Sequence, residues 1–159
     1  MERETSATPL RLAAAADVAT VLAFMAPFNA EMGVPFDAAI GERLVSAFVA
    51  DPSLGRLWLI ERDGCSLGYV ALTFGWSFEY RGRDGIVDEL YVAPTARRRG
   101  LARAALEALL AEADALGLCA VHLEVERESG PAERLYRSIG FAGNDRQLLT
   151  RRLRQASRP

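Results

Sequence analysis

The chain has no lysine; all 19 of its basic residues are arginine. Chemistry that needs a lysine amine, whether a Schiff base or the phosphate-binding lysine of a P-loop, is excluded with it. Histidine is nearly as scarce. His122 is the only one, neither Cys65 nor Cys119 sits in a metal-ligand spacing, and a single histidine leaves a zinc site almost no ligands to draw on, so no metal is expected. Two cysteines also cannot supply a disulfide framework. Apolar runs stay well below the ~18 residues that mark a membrane span, and no basic-then-apolar leader precedes a cleavage site. The expected location is cytoplasmic, away from the membrane.

What is present is ordinary for a globular chain. A length of 159 residues, half of them apolar and a quarter charged, corresponds to one domain over residues 1–159. A chain of this size buries roughly 68–70% of the surface it exposes when unfolded, enough to stand without staples. The net charge of -2 conceals a division: through Ala96 there are 7 arginines against 13 acids, and from Arg97 onward 12 arginines against 8 acids. The first part suits a cationic ligand and the second an anionic one, or else both are simply solvated surface with no ligand behind the division.

Turn and cap signals divide the chain into β-α-α-β-β-β-α-β-α-β. A short strand near residues 9–13 precedes a helix that Asp17 is expected to cap and that runs to about Met32, where Gly33 and Pro35 stop it. A second helix, residues 37–50, places Ile40, Leu44 and Phe48 on one apolar stripe. Strands follow at residues 56–62, 66–80 and 86–92, with a tight hairpin at Asp63-Gly64 and a turn over residues 81–85. A helix over residues 100–116 carries leucines at helical spacing and ends at Gly117. A strand at residues 119–125, a helix at residues 131–138 and one or two last strands reaching Leu153 complete the order.

The chemistry concentrates between Tyr91 and Ala102. A strand ends at Val92, Pro94 breaks the ladder, and Arg97, Arg98, Arg99 and Gly100 lead into the long helix. A helix start presents unpaired amides and a partial positive charge, and Gly100 lets a ligand come close to the backbone, so the preferred ligand is a phosphate or pyrophosphate. No G-x-G-x-x-G is present, and a P-loop is impossible without lysine. A nucleic-acid patch is the rival reading of the three arginines. Their position at a helix start speaks against it, and no nucleic-acid partner is expected.

Arg97-x-x-Gly100-x-Ala102, placed after Glu89-Leu90-Tyr91-Val92 and Pro94, resembles the acetyl-CoA signature R/Q-x-x-G-x-G/A of the GCN5-related N-acetyltransferases. Leu123-Glu124-Val125, followed by Ser129, Ala132, Leu135-Tyr136 and Gly140-Phe141, is similar to that family's second block. Together the blocks and the element order cover essentially the whole chain. The resemblance implies an α/β (α+β) fold: a mixed, mostly antiparallel central sheet with helices on both faces, splayed between the fourth strand, ending at Val92, and the fifth. Acetyl-CoA would lie in the splay. Its pyrophosphate would meet amides from about Arg98 through Arg99, Gly100, Leu101 and Ala102 to Arg103. Its pantetheine arm would pair with the backbone of Leu90, Tyr91 and Val92, and Arg97 would contribute its side chain. Ser129 departs from the pattern, which usually has an asparagine touching the cofactor arm; a hydroxyl lacks the amide's paired donor and acceptor.

The family reaction is direct attack of an amine on the thioester within a ternary complex. No covalent enzyme intermediate is expected, because neither cysteine sits beside a histidine in a nucleophile pattern. The acceptor implied is a primary amine of a small molecule, peptide or protein. The leaving thiolate needs a proton, and the family's tyrosine for that task matches Tyr136, a phenol of ordinary pKa ~10 that stays protonated at neutral pH. Packing under its own helix is the alternative for Tyr136. The base is Asp88 or Glu89, which strand alternation sends to opposite faces, so only one of them is expected to line the cavity; the other would be a surface or loop-capping carboxylate. Glu124 and His122 share one strand face; Glu124 would meet a cationic substrate, while His122 is either a proton relay or a structural hydrogen-bonding group. Trp76, Phe78 and Tyr80, with Glu79 nearby, frame an acceptor pocket by cation–π contact or else pack the core. Phe28 to Phe36 would border the acceptor. Arg151, Arg152, Arg154 and Arg158 form a basic edge for another subunit or an anionic partner, and since family members are often dimers a homodimer stays open. A second class of function also stands: a catalytically silent acyl-CoA sensor on the same fold.

Overall fold

Strand-forming residues gather between Gly55 and Val92, and there the computed structural model, which describes residues 8–126 and 130–153, has its three central strands. With β1 at Leu10–Leu12, these are β2 (Gly55–Arg62), β3 (Cys65–Ser77) and β4 (Gly82–Val92), and all three pairings β1–β2, β2–β3 and β3–β4 are antiparallel. A short fifth strand, β5 (Ala120–Leu123), joins β4 in parallel, so the sheet order is β1-β2-β3-β4-β5. Helices α1 (Val18–Glu31) and α2 (Ala38–Ala50) cover one face; α3 (Leu101–Ala115) and α4 (Gly130–Ser138) cover the other. Among the described residues no helix is long and apolar enough to cross a membrane.

Alternation along the strands feeds two cores. Trp58, Ile60, Val70 and Leu72 point to the α3 side and meet Leu101, Ala105, Leu106 and Leu109. Leu57, Leu59, Tyr69 and Ala71 point to the α1 side and meet Val18, Val21 and Val45. Burying an aliphatic side chain of this kind is worth about 1.5–3 kcal/mol, so the two layers hold the sheet from both sides.

Four local expectations are corrected. Asp17 does not cap α1. It ends a 3-10 turn in helical backbone rather than the extended conformation a cap needs, and its carboxylate accepts the Ala14 amide (2.8 Å) and two Arg11 nitrogens (2.9 and 3.0 Å). On α2 the inward stripe is Gly41, Val45 and Phe48, because Leu22 of α1 seats against Gly41; Ile40 and Leu44 face solvent, Leu44 at 61% exposure. The turn after β3 is at residues 78–81, where Arg81 takes a φ of 64°, while Asp84 and Gly85 already pair with Gly75 and Phe74. Residues 141–153 form no strand. Adjacent leucines at 148 and 149 break the alternation that would bury one face, and both are exposed.

One irregularity in β4 matters for everything below. Ala71 pairs with Glu89 but Leu72 pairs with Val87, so Asp88 is an extra residue, a β-bulge. It resets the alternation: Val87 and Leu90 both face the α3 core, and Tyr91 faces the α1 core. Beyond the bulge, Gly68 of β3 lies so close to β4 that an added Cβ would stand 2.0 Å from the Tyr91 carbonyl oxygen. We therefore expect Gly68→Ala to destabilise the protein by about 2 kcal/mol or more in urea unfolding; a loss below about 0.5 kcal/mol would show that β3 and β4 can separate freely here.

Candidate active site

The β4–β5 ladder ends at Val87 opposite Leu123, while β4 runs on to Val92 with β3 as its partner. From Asp88 to Val92, β4 therefore presents a sheet edge to the space that β5 has left. Such an edge carries backbone donors and acceptors suited to one more extended chain. A cleft of 780 Å³ opens there, within the range of small-ligand sites. Its walls are the β4 edge, Phe28, Glu31 and Met32 at the end of α1, residues 123–126 after β5, Arg97 and Ala102 beside the start of α3, and Pro131, Ala132, Leu135 and Tyr136 of α4.

The loop into α3 supplies an anion-binding end. Arg97 is extended, while Arg98 and Gly100 take left-handed φ values of 63° and 74°. Gly100 adopts this at no steric cost; for Arg98 it costs on the order of 1 kcal/mol. Backbone of this kind turns successive amides toward one concavity. Among the described residues no side chain caps α3, and the amides of Leu101, Ala102 and Arg103, in its first turn, lack intrahelical acceptors and face outward. The Leu101 side chain is buried in the core, which leaves only its amide to the loop.

Arg97 is already engaged. Its Nε donates to the Val92 carbonyl (2.7 Å), one Nη reaches both carboxylate oxygens of Glu31 (2.8 and 2.9 Å), and its guanidinium carbon lies 5.3 Å from the Tyr91 ring centroid. It thereby ties the loop to the end of α1. Arg98, Arg99 and Gly100 are exposed. Arg103 pairs with Glu107 (3.2 Å) and donates to the Ser138 hydroxyl, which joins α3 to the helix that carries Tyr136.

The bulge separates the two candidate carboxylates. Asp88 is exposed at the extra position; Glu89 is half-buried and accepts a hydrogen bond from the fully buried Tyr69 hydroxyl (2.6 Å). Both border the cleft, so the expectation that only one of them would line it is corrected: the bulge breaks the simple alternation on which it stood. Burial pushes the Glu89 carboxyl above its ordinary value, with the Tyr69 bond pulling the other way and Asp88 adding to the rise. Burial and the neighbouring Glu89 raise the Tyr69 phenol, so it remains a donor. Phe28, Tyr69 and Tyr91 pack edge to face or tilted, with centroids 6.1–6.4 Å apart, and fix that hydroxyl. Tyr136, half-buried and in edge contact with Phe141, also has its phenol raised by burial and stays protonated.

Glu124 and Phe28 line the same cleft. Trp76 and Phe78 do not. They project from the far end of β3 and the turn beyond it, at 68% and 92% exposure. His122 is also absent from the cleft wall; it bonds Asp84 (3.3 Å) and packs on Tyr80 with centroids 5.0 Å apart. Ser129 lies outside the described residues. Glu31 and Met32 fall within the Phe28–Phe36 segment expected to border the acceptor, while sequence reasoning passed over Tyr69 and the pairing of Glu31 with Arg97. Tyr69 lies in the run expected to be the third strand, but its carboxylate partner is 20 residues away; Glu31 meets Arg97 across 66 residues, and no local signal announces either pairing.

Residues 23–141 match the model of the acetyltransferase (GNAT) family. Among solved structures, an integron cassette protein from the mobile metagenome of Cole Harbour Salt Marsh is 32% identical, with a TM-score of 0.85 and 98% of each chain covered. A predicted acetyltransferase from Clostridium acetobutylicum, solved with acetyl-CoA, shares the fold at 21% identity and a TM-score of 0.73, covering 89% of this chain and 94% of its own. Ribosomal-protein-alanine N-acetyltransferase from Brucella melitensis does so at 20% identity and 0.72, covering 89% and 96%.

The Tyr69–Glu89 bond generates a prediction. Its removal takes away a contact that favours ionised Glu89, so in Tyr69→Phe the Glu89 carboxyl should titrate at higher pH than in the wild type, read by carboxyl-carbon NMR. A titration unmoved or shifted downward would show that the hydrogen bond does not hold the charge.

Proposed function

The chain belongs to the GNAT family of acetyltransferases, and on that premise we propose that it is an acetyl-CoA-dependent N-acetyltransferase whose acceptor is a primary amine on a cationic small molecule or peptide. The observation that carries this reading is the convergence on one cleft of a free strand edge, an uncapped helix start, a half-buried carboxyl and a half-buried phenol.

The residues fit the cofactor. The turned-out amides around Arg98 to Arg103 suit a pyrophosphate, and the β4 edge at Leu90, Tyr91 and Val92 suits an amide-bearing arm laid alongside it as a further strand. The Val92 carbonyl is taken by Arg97, and Tyr91 is in phase with Ala93, whose amide bonds Leu67 of β3, which leaves Leu90 as the freer part of that edge. When bound, acetyl-CoA supplies the activated acetyl group. Asp88, Glu89, Glu124 and Glu126 give the other wall a negative character, and Phe28 and Met32 an apolar one, which favours an ammonium on an apolar body.

Glu89 takes the role of base. An acceptor arrives as an ammonium and must lose a proton before its lone pair can attack, and a carboxyl raised by burial is better matched to that transfer than an exposed one. Asp88, at the exposed bulge position, contributes charge. As the new carbon–nitrogen bond forms and the carbon–sulfur bond breaks, Tyr136 donates its phenolic proton to the departing thiolate; the second proton, lost by the nitrogen as it becomes an amide, returns through water to the Tyr136 phenolate, and the first, taken from the ammonium by Glu89, passes to solvent. Placing the two partners in one cleft supplies the larger share of the acceleration, since orientation alone can be worth about 7–11 kcal/mol.

The reading is tested by thiol release over a panel of amines. We expect turnover with cationic primary amines, lowered by about 10²-fold or more in Glu89→Gln and in Tyr136→Phe, the scale of a lost proton-transfer group. Undiminished turnover in Tyr136→Phe would remove it from the acid role. Silence over the whole panel, with acetyl-CoA still bound, would turn the assignment to a silent acyl-CoA sensor.

A further inference from the structure

A second cavity, of 630 Å³, lies where β4 begins, at the opposite end of that strand from the cleft, and its lining includes no carboxylate. Trp76 of β3 stands opposite Arg83 of β4 in register, and Phe74 precedes Trp76 by two residues on the same strand face. The Arg83 guanidinium carbon is 4.5 Å from the Phe74 centroid and that of Arg56, on β2, is 5.3 Å from it. Two cations thus share one aromatic ring. Neither is ion-paired with a carboxylate among the described residues. Arg56 is held in place, its Nη1 donating to the carbonyls of Pro52 (2.6 Å) and Gly55 (2.8 Å), and its other nitrogens remain available.

Like charges gathered at one ring repel, and the ring quadrupole offsets that only in part, at about 0.5–1 kcal/mol per cation. An anion between them would offset the rest. Beside them Trp76 stands 68% exposed, a flat indole face with nothing among the described residues covering most of it. Arginine forks bind phosphate and carboxylate groups, and exposed indoles stack on planar rings. The sequence reading had placed Trp76 in an acceptor pocket, but none of these four residues lines the cleft.

We propose that this cavity is a second ligand site, which takes an aromatic or heteroaromatic anion: its phosphate or carboxylate sits between Arg56 and Arg83 and its ring lies on Trp76. The site uses no residue of the proposed acetyl-transfer machinery, so it stands or falls independently of that function. Trp58, the other tryptophan, is buried, so ligand-dependent emission changes report on Trp76.

The test is tryptophan fluorescence of the full chain titrated with adenosine 5′-monophosphate and with nicotinate, as ring-bearing phosphate and carboxylate, and with adenosine and inorganic phosphate as separate halves. We expect saturable quenching by at least one ring-bearing anion, weaker binding of either half, loss of the signal in Trp76→Phe, and binding weakened about tenfold or more in Arg56→Gln and in Arg83→Gln. Two arginine variants, each checked for a wild-type melting curve, keep the test open if one fails to fold. Absence of saturable quenching in the millimolar range would overturn the proposal. Equal affinity in wild type and both arginine variants would overturn it too, since it would place the anion elsewhere, such as at the cleft.

Discussion

The separation of β4 from β5 after Val87 and Leu123 is the constraint on which the candidate site depends. Two parallel strands that stayed paired would leave no cleft, and every backbone group along Leu90–Val92 would be taken up within the sheet. Separation leaves that edge free, places the first turn of α3 at its end, and gives α4 room to present Tyr136 from the opposite wall. The cost of the unpaired edge falls on the protein and is relieved when an extended, amide-bearing ligand lies along it.

The bulge at Asp88 decides what faces this opening. Without the extra residue, Val87 and Leu90 could not both reach the α3 core, and Glu89 would be in the wrong phase to meet Tyr69. One inserted residue therefore joins core packing to the acid–base arrangement. The contacts that frame the cleft differ in kind. Arg97 and Glu31 are both about half exposed, so their pair is worth no more than about 1 kcal/mol and serves to hold the loop against α1 rather than to stabilise the fold. Tyr69 and Glu89 sit deeper, where a lost partner leaves a half-buried carboxyl without its donor.

Much of this was readable from residues alone. The element order as far as the fourth helix and the helix-start loop at Arg97–Gly100 follow from short-range signals, turn dipeptides and periodicity; the mixed sheet parted between its fourth and fifth strands is what the family resemblance of the two blocks implies. What escaped was set by tertiary packing. The inward face of α2 is one residue round from the stripe of Ile40, Leu44 and Phe48, because Leu22 seats on Gly41. The aromatic run from Phe74 to Tyr80 looked like an acceptor wall, yet β4 begins at Gly82 and pairs back along β3, which carries Trp76 and Phe78 away from the cleft. The partners of Glu31 and Tyr69 could not be found locally, since they lie 66 and 20 residues away. The strands expected near Leu153 are missing for a reason visible in hindsight, the adjacent leucines at 148 and 149.

The central claim is that the opened β4 edge and the uncapped start of α3 form one binding surface for acetyl-CoA. Thermal unfolding with and without acetyl-CoA tests it most directly. A ligand at about 100 times its Kd adds about 2.7 kcal/mol to the folded state, enough to raise the Tm of a chain this size by roughly 5 °C or more. That rise is the result the account predicts; an unchanged Tm at millimolar acetyl-CoA would contradict it.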